Sequence, residues 1–588
     1  MNQTPSANWP VLGLDEARAL LIGPGMPFEM EETVIRGVKT RVYKQARSGL
    51  RELFDIGCQW GRTDPTREYI VLDDDRQTYA AHFKAAGRLG RVLQDRFGVR
   101  KGDRVVIAMR NLPEWSLAFW AGASIGAVLT PLNAWGLGPD LAYGVENSGA
   151  TVAIVDGDRL ERLKPHLADL NLKGLVAVRT APEHLGAAIT LESLIGPPSG
   201  YGALPDDPPA DPKSDPDDDA TILYTSGTTG KPKGALGTHR NAMHNLISIG
   251  YGAMFGMARR GEAIPAPDPN AAQRTTLLPV PFFHVTGCHS IMMPTVTTGG
   301  RLILMHRWNP ERFLELIETE KVNGTTGVPS MVWQVLESPD FTRRDLSSLD
   351  SYSYGGAAVA PELTRKFAEV FPNIRPGQGY GATETSSVST VNSAEDFLLR
   401  TDSVGRAVPV ADLKVMDAEG TRELAVGEVG ELWIRGPNVV KGYWANPDAT
   451  AKSFTDGWYH TGDIVRMDAD GFVYILDRAK DMLIRGGENI YCVEIEDVLI
   501  THPALMDAAV VGLPHKIWGE EVAAVVRVKV GFEVTHEDIK AHVAARLSPY
   551  KVPVLVDIRT EELPKNASGK TLKPELRAQL VAARGEES

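Results

Sequence analysis

The run Thr225-Ser226-Gly227-Thr228-Thr229-Gly230-Lys231-Pro232-Lys233-Gly234 concentrates residue types that handle phosphate. Its glycines and small hydroxyl residues let backbone amides approach phosphate oxygens closely, and Lys231 and Lys233 supply positive charge. Spacing excludes a Walker A loop. That loop needs four residues between its first glycine and a Gly-Lys-Ser/Thr, whereas Gly227 and Gly230 stand too close together and Pro232 follows the lysine. A second run, Gly379-Tyr380-Gly381-Ala382-Thr383-Glu384, offers a flat ring to a purine at Tyr380, a hydroxyl to phosphate at Thr383 and a hard oxygen ligand for Mg2+ at Glu384. Taken singly, each run has a plainer reading, the first as a surface turn and the second as a loop capping a helix.

These residues need elements to hold them. Strand-like runs at 104–109, 152–155, 175–178, 221–224, 275–278 and 301–305 alternate with helical patterns, which predicts α/β layers with largely parallel sheets. The first phosphate-type run follows directly on the strand at 221–224. Segment 203–220, rich in Pro and Asp, reads as an exposed connector, and 263–272 as a surface loop. Beyond 477 the pattern changes to a compact α+β unit, with a glycine turn at Gly486-Gly487, a helix from about 493, strands at 508–512 and 521–530 and a helix at 536–545. Residues 1–477 and 478–588 are therefore expected to be separate domains.

Composition narrows the class. A chain of 588 residues, 43% apolar and 23% charged, is globular and has more than one core. Its net charge of −13 makes it a poor general binder of nucleic acid. The three cysteines, Cys58, Cys288 and Cys492, have no metal-ligand spacing, and the start of the chain lacks a basic region followed by an apolar stretch, so a cytoplasmic protein is expected. Segment 115–139 is uncharged and long enough to span a bilayer, but Gly122, Gly126, Pro131, Gly136 and Gly138 favour a buried helix at 114–124 followed by a buried strand at 127–132.

With its further motifs, the chain resembles the adenylate-forming superfamily of acyl-CoA synthetases, luciferases and peptide-synthetase adenylation domains. Those motifs are Tyr354-Gly355-Gly356-Ala357, Trp458-Tyr459-His460-Thr461-Gly462-Asp463, Arg478 with Lys480, Pro281-Phe282-Phe283-His284 and Leu563-Pro564-Lys565-Asn566-Ala567-Ser568-Gly569-Lys570. The resemblance runs from about residue 76 to about residue 573. It implies a large N-terminal domain of two α/β subdomains plus a distorted β-barrel, and a small mobile α+β C-terminal domain carrying the catalytic lysine. It also implies ATP, Mg2+ and CoA. Gly355, Gly356 and Ala357 would lie against the adenine, Asp463 would take the ribose hydroxyls and Arg478 would reach the ribose and α-phosphate. Glu384 and Thr228 would hold Mg2+, Lys570 would bridge the carboxylate and the α-phosphate, His284 would orient the acid, and Lys480 would be the hinge.

No carrier domain follows Lys570, and Gly486 and Gly487 resemble the turn that leaves room for pantetheine in CoA ligases, so a stand-alone AMP-forming acid–CoA ligase is expected. The stretch 285–293 predicts a roomy hydrophobic pocket for a medium or long fatty acid, with an aromatic or alicyclic acid as the alternative. Cys288 stands where long-chain synthetases often carry a gating tryptophan. A luciferase-like oxygenase or a non-catalytic acyl-AMP binding protein would share the nucleotide motifs. The expected partners are small molecules, with neither nucleic acid nor an integral membrane segment among them, and a homodimer is compatible with the sequence.

Overall fold

A computed structural model describes residues 9–225, 231–265, 268, 271–355, 361–371, 374–566 and 569–586. Two large sheets carry most of the chain. In the seven-stranded sheet, Arg104–Ala108, Val128–Pro131, Val152–Asp156 and Gly174–Val178 run parallel, and Asp219–Thr225 with Lys233–Thr238 forms an antiparallel hairpin at one edge. The nine-stranded sheet has a parallel centre of Thr275–Leu278, Arg301–Leu304, Gly324–Gly327, Ser351–Tyr354 and Arg375–Tyr380. The strands expected from sequence end within two residues of these, because apolar β-branched runs buried on both faces leave little freedom over where pairing stops.

The uncharged stretch is folded into the first domain. All residues of the helix Pro113–Ser124 are buried, and Trp115 stacks on Phe282 with ring centroids 4.7 Å apart. A helix apolar all round suits such a place. Among the described residues no helix is long and apolar enough to cross a membrane. The connector expected at 203–220 is irregular up to Asp219 but not free: Pro209 is buried, and Arg51 Nη1 donates to its carbonyl at 2.9 Å.

A five-stranded antiparallel sheet stands in the place expected of the distorted barrel, with long strands Val429–Arg435 and Trp458–Met467 and an outer strand Val473–Arg478. The next strand, Leu483–Arg485, already belongs to the small C-terminal sheet with Glu488–Ile490, Leu505–His515, Gly519–Val528 and Leu555–Arg559. The helices Cys492–Ile500, His536–Ala544 and Lys573–Glu586 accompany that sheet, whose core includes Ile495, Val510, Ala524 and Ile539. The C-terminal unit touches the larger body through Lys529 Nζ, 2.9 Å from Glu337 Oε1, and through Gly569, where an added Cβ would come within 2.9 Å of Val328 Cγ2.

Candidate active site

One cavity of about 1470 Å³ opens where the sheets and the C-terminal unit meet. It exceeds the range of about 300–1,000 Å³ usual for a single small ligand, so a nucleotide and a second substrate fit together. Its walls include Thr225, Lys233, His284, Gly355, Gly379, Tyr380, Gly381, Thr383, Glu384, Arg478, Lys480 and Lys570. Residues more than 300 positions apart in sequence thus face one space. Ser226, Gly227, Thr228, Thr229, Gly230, Gly356 and Ala357, singled out from sequence, lie outside the described residues.

The hairpin brings in the first group. Its register pairs Thr225 with Lys233 and Tyr224 with Gly234, which brings the two ends of the phosphate-type run side by side. The two lysines part company. Lys233 Nζ lies 4.9 Å from the ring of Tyr443 on the cavity side, whereas Lys231 Nζ lies 4.8 Å from Tyr143 and is not on the cavity wall. Tyr443 also donates its hydroxyl to Glu384 Oε1 at 2.7 Å, which orients a buried carboxylate. The chain around Tyr443 pairs with the hairpin, as Trp444 N donates to Gly234 O at 2.7 Å. Nothing in the local sequence marks Tyr443, because its function depends on that pairing.

Glu384 sits in a short 3-10 turn, Thr383–Thr385, at the end of the strand Arg375–Tyr380. Gly381 is required here by space rather than by phosphate contact, since an added Cβ would lie 1.5 Å from the carbonyl oxygen of Ser387. Tyr380 points its hydroxyl at Asp463 Oδ2, 2.6 Å away, and Arg478 Nε donates to Asp463 Oδ1 at 2.7 Å. Strand register sets the second contact, for Asp463 and Arg478 are directly opposed. Asp463 is therefore buried just behind the cavity wall with one protein donor on each oxygen. It keeps lone pairs for ribose hydroxyls, since a carboxylate offers about four acceptor sites. The Asp463 charge raises the pKa of Arg478, and burial followed by the same charge raises that of Tyr380 well above normal.

Lys570 is held by a tight loop: its amide donates to Asn566 Oδ1 at 3.0 Å, and Asn566 N donates back to the Lys570 carbonyl at 2.8 Å. Its side chain reaches the water of the cavity yet is crowded by protein, so desolvation lowers its pKa, with Arg478 and Lys480 adding to the effect. The same desolvation lowers the pKa of Lys480. His284 faces this lysine. Burial, reinforced by Lys570, holds its pKa at about 4, so it is a neutral imidazole whose Nε2 is buried without a partner among the described residues. The segment carrying it is anchored by buried Asn111, which donates to Val280 O at 2.9 Å and accepts from Phe282 N at 2.8 Å. Sequence alone does not single out Asn111.

The stretch after His284 divides differently from the expectation. Thr286–Met292 is a π-helical turn, and only Val285, Thr286, Ser290 and Ile291 of 285–293 reach the cavity. The wider turn rotates Cys288, Met292 and Met293 into the protein core. Cys288 is thus no gate, and burial pushes its thiol pKa well up. Gly486 and Gly487 lie away from the cavity, on an exposed turn with φ of 61° and 90°. Among the described residues no cluster of three or more His, Cys, Asp or Glu side chains could hold a metal on its own.

Comparison with known proteins gives this geometry a context. The family model described as AMP-binding enzyme matches residues 59–444, and the model for the AMP-binding enzyme C-terminal domain matches residues 494–570. A feruloyl-CoA synthase of Amycolatopsis sp is 34% identical over 501 residues, covering 85% of this chain and 93% of that protein. A long-chain-fatty-acid–CoA ligase of Mycobacterium tuberculosis is 34% identical over 510 residues, covering 87% and 94%. The crystal structure of ATP-bound MatB from Rhodopseudomonas palustris superposes with a TM-score of 0.76 at 26% identity, over 90% of this chain and 99% of that one.

Proposed function

This chain belongs to the AMP-binding enzyme family, among the adenylate-forming acyl-CoA synthetases, and is an AMP-forming acid–CoA ligase; we propose that residues 1–477 and 478–588 act as two domains dividing the reaction into two halves. In the first half, the carboxylate oxygen of the acid attacks the α-phosphorus of ATP and the bond to the bridging oxygen breaks, giving acyl-AMP and pyrophosphate. In the second, the CoA thiolate attacks the acyl carbon, the carbon–oxygen bond breaks and AMP leaves.

The convergence of Lys570, His284, Arg478 and Glu384 on one cavity carries this reading. Lys570 places positive charge between acid and phosphate, where negative charge builds during displacement. Neutral His284 can donate Nε2–H to the carboxylate without competing as a cation. Asp463, braced by Tyr380 and Arg478, binds the ribose, while the hairpin tip from Thr225 to Lys233, together with Thr383, receives the phosphates. Gly355 and Gly379 leave flat space for adenine, and Gly356 and Ala357 are its proposed further contacts.

The donors fit Mg2+, which characteristically takes one or two carboxylates and completes its shell with phosphate and water. Glu384 supplies a single oriented carboxylate, Thr228 is its proposed companion, and the ion would neutralise phosphate charge there. Between the halves the C-terminal unit turns near Lys480, withdrawing Lys570 and bringing the exposed Gly486–Gly487 turn to the CoA route. A cytoplasmic setting is supported by three buried free thiols.

The acid is hydrophobic in this reading, but kinship does not choose it: the two relatives named above share the same identity to this chain, one named for a ring acid and the other for fatty acids. The test is a panel of carboxylic acids assayed for AMP release with and without CoA. Acid- and CoA-dependent AMP release is expected, and none with any acid refutes the reading.

A further inference from the structure

The strand Val473–Arg478 belongs to the large body, yet one of its side chains reaches into the C-terminal unit. Asp477 is 1% exposed, and each of its carboxylate oxygens takes one backbone amide. Oδ1 accepts from Arg478 N at 2.7 Å, and Oδ2 accepts from Cys492 N at 2.5 Å. Cys492 is the first residue of the helix Cys492–Ile500. An amide at that place has no partner within its own helix, and a carboxylate beside it also meets the positive end of the helix dipole. Tyr491, in the usual capping position, makes no side-chain bond to the helix. The cap comes instead from 15 positions upstream, across Lys480. Burial pushes the Asp477 pKa up to about 6, with Lys573 and the two amides working against it, so the group is ionised at neutral pH.

Contacts continue from this helix toward Lys570. One turn beyond Cys492, Glu496 Oε1 lies 2.7 Å from Lys573 Nζ and also accepts from Val510 N at 2.7 Å. Burial works against the Lys573 ammonium, but Glu496 and Asp477 are among the groups that outweigh it and raise its pKa. Lys573 opens the terminal helix Lys573–Glu586 and stands three residues after Lys570. The short segment between them is pinned, since Leu572 N donates to Pro564 O at 2.8 Å and Thr571 pairs with Lys565. A shift of Lys573 is therefore passed on to Lys570. Of these links, the bond from Asp477 to Cys492 is the one that joins the two bodies.

We propose that Asp477, Glu496 and Lys573 are positioning residues for the first half-reaction, a buried chain of contacts that seats Lys570 in the cavity, and that the bond from Asp477 to Cys492 breaks when the C-terminal unit turns. This rests on the two-half reading above. None of the three side chains lines the cavity, so each acts through Lys570 and not on a substrate. A cap made within one rigid unit would serve stability alone and hold in both halves. This cap spans Lys480, so it exists in the orientation that brings Lys570 to His284 and is lost when the helix swings away from the strand.

The experiment uses the full chain and two readouts. Amide hydrogen exchange of the free enzyme, read by mass spectrometry on peptides covering 491–495, reports the tie itself. Asp477→Ala is expected to speed exchange there about tenfold, the scale of a lost helix cap. The paired change of Glu496→Gln with Lys573→Met, which leaves no lone buried charge, should not alter it. Half-reaction kinetics report the positioning. Acid-dependent pyrophosphate exchange should fall about tenfold in Asp477→Ala and in the paired variant, the same scale as the lost cap. Thioester formation from supplied acyl-adenylate should stay level in both, which also shows that they fold. Asp477→Asn, which keeps one acceptor, and Lys573→Arg, which keeps the charge, should each recover part of the first half. Equal losses in both halves make the chain a structural feature only and overturn the proposal. Unchanged exchange at 491–495 in Asp477→Ala overturns it as well, and so does faster exchange with both half-reactions unaltered. Wild-type enzyme silent with every acid of the panel refutes the ligase reading and the role in a half-reaction, while the exchange result still decides whether Asp477 ties the two bodies.

Discussion

Lys529→Ala should slow the first half-reaction and spare the second. Lys529 follows the strand Gly519–Val528 in the C-terminal unit, and its Nζ lies 2.9 Å from Glu337 Oε1 and 5.6 Å from the ring of Trp333, both on the helix Pro329–Glu337 of the larger body. These contacts hold the C-terminal unit where Lys570 enters the cavity. The ion pair is partly buried, with side chains 18% and 31% exposed. A pair of this kind contributes up to about 1 kcal/mol, and a cation near an aromatic face adds about 0.5–1 kcal/mol. Losing roughly 1–2 kcal/mol shifts the balance of domain positions by about 5- to 30-fold. Acid-dependent pyrophosphate exchange should fall by that factor, while thioester formation from supplied acyl-adenylate should stay level or rise. Lys529→Arg should restore most of the loss, and adding Glu337→Ala to Lys529→Ala should cost little more, since the two residues share one interaction. Equal losses in both half-reactions, or no loss in either, would refute the idea that this contact positions Lys570.

Four further outcomes follow from the site and the segment beside it. Lys570→Ala should lose about 10²–10³ in pyrophosphate release, the cost of removing one charge-stabilising donor, and keep thioester formation from supplied acyl-adenylate. Because the Lys570 pKa is lowered by burial and by Arg478 and Lys480, its ammonium is lost at lower pH than for an exposed lysine. The first half-reaction should therefore fall as pH rises, ahead of the second, and partial-reaction pH profiles check this. Tyr380→Phe removes one of two donors to Asp463 and should raise KM for ATP about tenfold, the scale of a hydrogen bond to a charged group, with KM for the acid unchanged in steady-state kinetics. Asp477 has its pKa raised to about 6, chiefly by burial. A raised folded-state pKa favours folding at low pH and loses that contribution as pH climbs through about 6, so Asp477→Asn should flatten the fall in melting temperature between pH 5 and 7.

Much of the chain's architecture is legible in its residues, and the reason is local. Buried parallel strands such as 275–278 and 301–304 are written as short apolar-rich runs, with Pro279 closing the first and Gly299-Gly300 preceding the second. The phosphate-type run is recognisable for a similar reason, since small residues and lysines after a strand have few other uses. Features that depend on packing between distant segments were not legible. Tyr443 matters because the hairpin draws its segment against Glu384, and Asn111 because it holds the segment from Val280 to Phe282, about 170 residues further on. Lys231 and Lys233, equivalent in sequence, diverge because Lys233 opens the strand Lys233–Thr238 and takes its direction from the pairing, whereas Lys231 lies before that strand.

The sequence by itself determined the chemistry on offer: the lysines, carboxylates and glycines suited to a nucleotide and an acid, and the order in which they come. Tertiary structure decided which of them share a space, since Lys570 and His284 face one cavity only through the way the C-terminal unit docks, and no local pattern encodes that. It also decided the shape of the cavity. A π-helical turn sent Cys288 to the core, and strand register turned Thr276, Ser353 and Gly377 to the cavity wall, because side-chain direction follows backbone period and pairing rather than residue type.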